Sequence, residues 1–147
     1  MKRLLVGILF LFIALGTWGQ NWSLDPTYGG INLESGFQPD PFRRSMTAGG
    51  SSNLSQLGYY GYVAEAPDFS LNYTSGFFSL TIKVEDTNAD TVLLVNGPSG
   101  SWHFNDDTNG LDPSITFSNP TDGRYDIWIG TFDGNFADST LVITELD

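Results

Sequence analysis

The chain has no cysteine, one histidine (His103) and only six basic residues among 147. Without cysteine there is no disulfide, no thiolate nucleophile and no attachment point for a lipid anchor. One histidine and no thiol leave nothing from which the usual zinc site is built. So few lysines and arginines exclude the basic patches that nucleic acid and anionic membrane surfaces require. No segment beyond residue 20 shows a helical period, and no apolar run reaches the ~20 residues of a membrane-spanning helix.

What is present begins with a leader. Lys2 and Arg3 precede an apolar stretch from Leu4 to Leu15, and Thr17-Trp18-Gly19 offers a cleavage site. We place cleavage near Gly19–Gln20, take residues 1–19 as a secretory signal peptide, and expect no membrane insertion afterwards. The alternative, a membrane anchor, needs a longer apolar run. Cleavage removes two basic and no acidic residues, so the net charge moves from −11 to −13. That balance suits an extracellular protein and an oxygen-loving cation such as Ca²⁺. It equally suits solubility alone.

Residues 20–57 carry Gly29-Gly30, Gly36, Pro39, Pro41 and Gly49-Gly50 between isolated apolar anchors such as Trp22, Tyr28, Ile31 and Phe42. They read as an extended Gly/Pro-rich arm packed on the body, with short strands near 31–34 and 42–48. Residues 58–147 read as the body. There the period is two: Phe78, Leu80, Ile82 and Val84 share a face, as do Tyr125, Ile127 and Ile129, and as do Leu141 and Ile143. Val92–Val95 is apolar on both faces, as a central strand would be. Further strands are expected at 59–64, 69–73, 101–104 and 114–117. About eight short strands with turns every 8–12 residues give an all-β fold, an antiparallel β-sandwich of jelly-roll or Greek-key type.

The stretch Asp90–Phe132 resembles the bacterial pre-peptidase C-terminal domain. The matching parts are the strand Val92–Val95, the turn Pro98-Ser99-Gly100, the strand 101–104 and the loop Asn105-Asp106-Asp107. The strand 114–117, the corner Pro120–Tyr125 and the strand 126–132 follow in the family's order. The whole secreted chain is similar to small stand-alone bacterial proteins of this type that share the Gly36–Pro41 and Ala66–Thr74 segments. The resemblance implies a non-catalytic accessory module, some of whose members bind calcium or extracellular polymers. Relatives often carry cysteines at the positions of Tyr60 and Phe104. This chain has neither, and the resemblance implies that those two side chains meet in the core.

Three chemistries are open to these residues. A hydrolase would need His103 as base beside an activated serine such as Ser101, and no nucleophile motif surrounds either. We therefore read the chain as no enzyme; paired carboxylates for a glycosidase are too common among seventeen acids to select one. Calcium could use Asn105, Asp106, Asp107 and Asp112, with Asn109 between them and a further carboxylate from Asp133, Asp25 or Asp40. The competing reading is that these residues build the turn, with Asp106 or Asp107 bonding inward to the loop backbone. A ligand platform could use Trp128 and Phe132 with Asp126, opposite the Tyr125–Ile127–Ile129 face, unless the arm covers them. The expected function is secreted ligand binding or adhesion toward an extracellular polymer or protein. The alternative is a structural component that self-associates through an unpaired edge strand.

Overall fold

The computed structural model describes residues 19–146; all but the last residue of the proposed leader lie outside them. Among the described residues eleven strands form two packed sheets, against about eight expected. They are β1 (Gly30–Glu34), β2 (Phe42–Ala48), β3 (Ser52–Asn53), β4 (Tyr62–Val63), β5 (Phe69–Thr74) and β6 (Leu80–Glu85). The second half adds β7 (Thr91–Asn96), β8 (Trp102–Asn105), β9 (Ser114–Phe117), β10 (Gly123–Thr131) and β11 (Ala137–Thr144).

Sheet B is four-stranded in the order β2-β11-β6-β9. Sheet A is seven-stranded and centred on β10. One side of β10 pairs with β7, which carries β8. The other side pairs first with β5 (Ile127 opposite Phe69) and then, past a gap, with β4 (Thr131 opposite Tyr62). Strands β6 to β9 wind B-A-A-B, so that β9 returns beside β6 as in a Greek key. One pair departs from the antiparallel expectation: β1 lies parallel to β5, Gly30 opposite Ser70 through Glu34 opposite Thr74.

The alternating patterns become the core. Leu80, Ile82 and Val84 of β6, Tyr125, Ile127 and Ile129 of β10, and Leu141 and Ile143 of β11 interdigitate between the sheets. Phe78 leaves the pattern because β6 begins at Leu80; it is exposed. The Tyr125 hydroxyl donates to the Thr121 carbonyl (2.8 Å) and accepts from Thr121 N–H (3.0 Å), locking the Pro120–Tyr125 corner.

The segment 20–57, expected as an arm packed on the body, supplies strands to both sheets. β1 joins sheet A, and β2 joins sheet B through a seven-residue pairing with β11. The Glu145 carboxylate ties the last strand to it, accepting from Gly36 N–H (2.6 Å) and from the Tyr73 hydroxyl. Burial and that bond push the Tyr73 phenol up to about 12.

A second, smaller core lies outside sheet A. Leu54, Val63, Val92, Leu94 and Trp128 pack there beneath the segment 51–65, which includes a 3-10 turn at Leu54–Leu57. Thus the two apolar faces of β7 serve different cores. Phe104 stacks on Tyr59 (centroids 4.6 Å apart), whereas Tyr60 is 69% exposed. The expected Tyr60–Phe104 contact is therefore displaced by one residue, because Tyr59 faces the second core and Tyr60 faces out.

Candidate functional site

The expected platform does not form. Trp128 is fully buried in the second core; its ring meets Trp102 (5.4 Å), and its Nε1–H donates to the Glu65 carbonyl (3.4 Å). The 51–65 segment covers the outer face of β10 that a bare strand would have left open. Phe132 remains half exposed at the β10–β11 turn, but Asp126 lies three turns of the pleat away and is buried. The three residues make no common surface.

Asp126 instead floors a different groove. Its Oδ1 accepts from the Ser70 hydroxyl (2.6 Å) and from Arg124 Nε (2.7 Å), and Arg124 Nη2 also reaches Ser70 Oγ (3.1 Å). These three side chains meet because β5 and β10 place Ser70 opposite Asp126 in register. Arg124 Nη2 also contacts the Trp22 carbonyl (3.5 Å). Trp22, 56% exposed, lines the groove with Asn96, Pro98, Asp122, Arg124 and Asp126, around about 360 Å³. Asn96 is held by its Nδ2–H to the Gly100 carbonyl (3.1 Å). Gly123 is required here: at φ 133° a Cβ would lie 2.8 Å from Pro98 Cβ.

The groove continues into a polar trough of about 500 Å³ that shares Asp122 and Gly123 and adds Asn32, Glu34, Asn72 and Thr74. Asn72 donates to Asn32 Oδ1 (2.9 Å) across the β1–β5 pair. Asp122 accepts from both the hydroxyl and the N–H of Ser75 (2.7 Å each), which holds its carboxyl below the usual range. From sequence, Trp22 read only as an apolar anchor and Arg124 was not singled out. The available signal was an aromatic near the start of the arm that no periodic pattern needed.

In the loop 105–112 the turn is built by Asn105, not by Asp106 or Asp107. Asn105 Oδ1 accepts from Ser114 N–H (3.0 Å) and Thr108 Oγ1 (2.8 Å). The Asp112 carbonyl takes Thr108 and Asn109 N–H. Asp106 and Asp107 stay near Asp90 and Asp133, two loops away. Partial burial, and then the charges of Asp107, Asp106 and Asp133, raise the Asp90 carboxyl. Among the described residues no three His, Asp or Glu side chains are placed to hold a metal ion together. His103 packs edge-on against Phe117 (4.9 Å), and Ser101 Oγ pairs with Ser99 Oγ (3.0 Å) rather than with His103.

No family model and no curated protein matches the chain. Among solved structures, it is similar to the Aeromonas hydrophila protein PliG, a periplasmic inhibitor of g-type lysozyme, at 12% identity. The match covers 79% of this chain and 96% of that one, with a TM-score of 0.40.

Proposed function

We propose that the chain is a secreted, non-catalytic binding module of the pre-peptidase C-terminal kind, taking an extracellular polysaccharide along the outer face of sheet A. The observation that carries this reading is the exposed Trp22 ring beside the fixed Asp126–Arg124–Ser70 cluster, continuous with the Asn- and Asp-lined trough. An aromatic face stacks on a sugar ring, while planar polar groups held by their neighbours bond its hydroxyls without losing much entropy. The acidic surroundings favour an uncharged polymer over an anionic one. Self-association is the weaker alternative, because both edges of sheet B are blunted. β2 presents Arg43 and Arg44 at its edge, the Tyr28 hydroxyl accepts from Thr47 N–H (3.0 Å), and four-residue β9 follows Pro113.

Affinity electrophoresis through neutral glucans, chitin oligosaccharide and alginate tests this. Binding is expected to a neutral polymer, and Trp22→Ala should weaken it about tenfold or more, with an unchanged melting temperature. Failure of every polymer to retard the chain, or retardation indifferent to Trp22→Ala, would overturn it.

Calcium at the other end of the sandwich is a second proposal, favoured by the like charges of Asp90, Asp106, Asp107 and Asp133 that a cation would relieve. Asn105 does not fit as a ligand while its Oδ1 holds the turn. Binding therefore requires the 106–112 loop to close on Asp90. At one hundred times its Kd, Ca²⁺ would add roughly 2.7 kcal/mol over EDTA; equal midpoints by calorimetry would remove calcium from this loop.

A further inference from the structure

We propose that the pocket where β10 changes partners is a second binding site, which takes a primary alkylammonium group with Asp68 as its counter-ion. β10 pairs with β5 up to Ile127 and with β4 from Thr131. Between them its edge is stitched by other groups: Asp68 N–H to the Ile127 carbonyl (2.8 Å), Ile129 N–H to Asp68 Oδ2 (2.7 Å) and Gly49 N–H to the Ile129 carbonyl (3.0 Å). The missing strand leaves a pocket of about 360 Å³ lined by Tyr28, Gly49, Gly50, Glu65, Asp68 and Phe136 among others.

Asp68 is only 3% exposed. One of its oxygens satisfies Ile129 N–H; the other, Oδ1, has no hydrogen-bond partner among the described residues. An asparagine would satisfy Ile129 equally well without burying an ionisable group. The spare acceptor is what the carboxyl adds. Among the described residues no basic side chain lines the pocket, and the other titratable groups there are the exposed Glu65 and the Tyr28 phenol. Arg44, the basic residue bonded nearby, is turned to the Tyr28 carbonyl (3.4 Å). Burial accordingly raises the Asp68 carboxyl to about 7.

A cation entering this pocket meets one free carboxylate oxygen, a second acid at the rim and two aromatic rings, Tyr28 and the exposed Phe136. A single free oxygen suits the compact ammonium of lysine better than a guanidinium, which seeks a two-oxygen fork. The source is a lysine side chain of a basic protein or a free alkylamine, and the net charge of −13 after cleavage draws either one in.

The secreted chain, isotopically labelled, is titrated with n-butylammonium, N-acetyl-lysine methylamide and neutral n-butanol, with amide shifts followed by NMR. Both ammonium probes should give saturable shifts at Gly49, Gly50 and Glu65, and butanol none. Equal or tighter binding of the lysine derivative marks a protein side chain as the source, and a preference for butylammonium marks a free amine. Because binding selects the ionised carboxyl, affinity should rise by roughly an order of magnitude from pH 5.5 to 7.5. Asp68→Asn should weaken it about ten- to a hundredfold, and Phe136→Ala, at the exposed rim, by a smaller factor. Absence of saturable shifts, equal shifts with butanol, or a flat pH profile overturns the proposal. The pH profile needs no variant, so it decides the matter even if Asp68→Asn fails to fold.

Discussion

Asp68→Asn is expected to stabilise the protein increasingly as pH rises from about 4 to above 7, and to leave it nearly unchanged below. The folded-state carboxyl titrates near 7 against an ordinary value of 3.8, because burial penalises its charge more than the Ile129 N–H stabilises it. The protonated form is therefore the one the fold prefers. Its contribution is complete below about pH 4 and is lost as pH rises through about 7. Asparagine keeps the acceptor for Ile129 and never ionises. The gap between 3.8 and about 7 sets an upper limit of roughly 4 kcal/mol at neutral pH, at 1.36 kcal/mol per decade. Asp68→Ala should behave oppositely at low pH, where it leaves a buried N–H unpaired at a cost of about 1–3 kcal/mol. Urea unfolding of the three proteins at pH 4.5 and pH 8 measures both effects. Parallel pH profiles for wild type and Asp68→Asn would show that the carboxyl is not the buried acid described.

Trp128→Ala carries the other large effect. Trp128 is the largest fully buried side chain among the described residues and the centre of the second core, against Leu54, Val63, Val92, Leu94 and Trp102. Removing an indole from such a site costs about 3–5 kcal/mol, which in a chain of this size lowers the melting temperature by roughly 10 °C or more. It also removes the surface on which residues 51–65 rest. Proteolysis should consequently shift to that segment. Phe132→Ala, at a half-exposed turn, should change stability by less than about 0.5 kcal/mol. The pair discriminates sharply, because the sequence pattern puts both aromatics on one face of one strand. Similar losses for the two would mean that the outer face of β10 is not covered as described.

That pair also shows where sequence reading stops. Turn signals and short apolar runs put strands at 42–48 and 114–117, where β2 and β9 lie, and alternation put Leu80, Ile82 and Val84 in the core as their period requires. The double-sided burial of Val92–Val95 was legible, although its cause, two separate cores, was not. Alternation reports which residues share a face but not what lies over it. The cover on Trp128 comes from Leu54 and Val63, in a segment whose strands are two residues long and too short to show a period. The groove is a tertiary product too: the Trp22 carbonyl meets Arg124 across 102 residues of sequence. Asp68 was invisible for the same reason, since its burial follows from a change of strand partner. In the loop 105–112, composition pointed to the aspartates, while geometry gave the turn to Asn105, the residue nearest the strand end.

The pairing of β2 with β11 has a consequence for how the molecule comes into being. Sheet B cannot close until residues 137–144 are available to residues 42–48, so the chain's early and late segments must meet before the sandwich is complete. Such distant pairing folds slowly, because a long loop is closed before its contacts repay the entropy. On the secreted reading proposed above, that delay is useful. A chain still threading through a narrow channel has no finished sheet B to jam it. Architecture thus postpones completion of sheet B until the last strand has arrived.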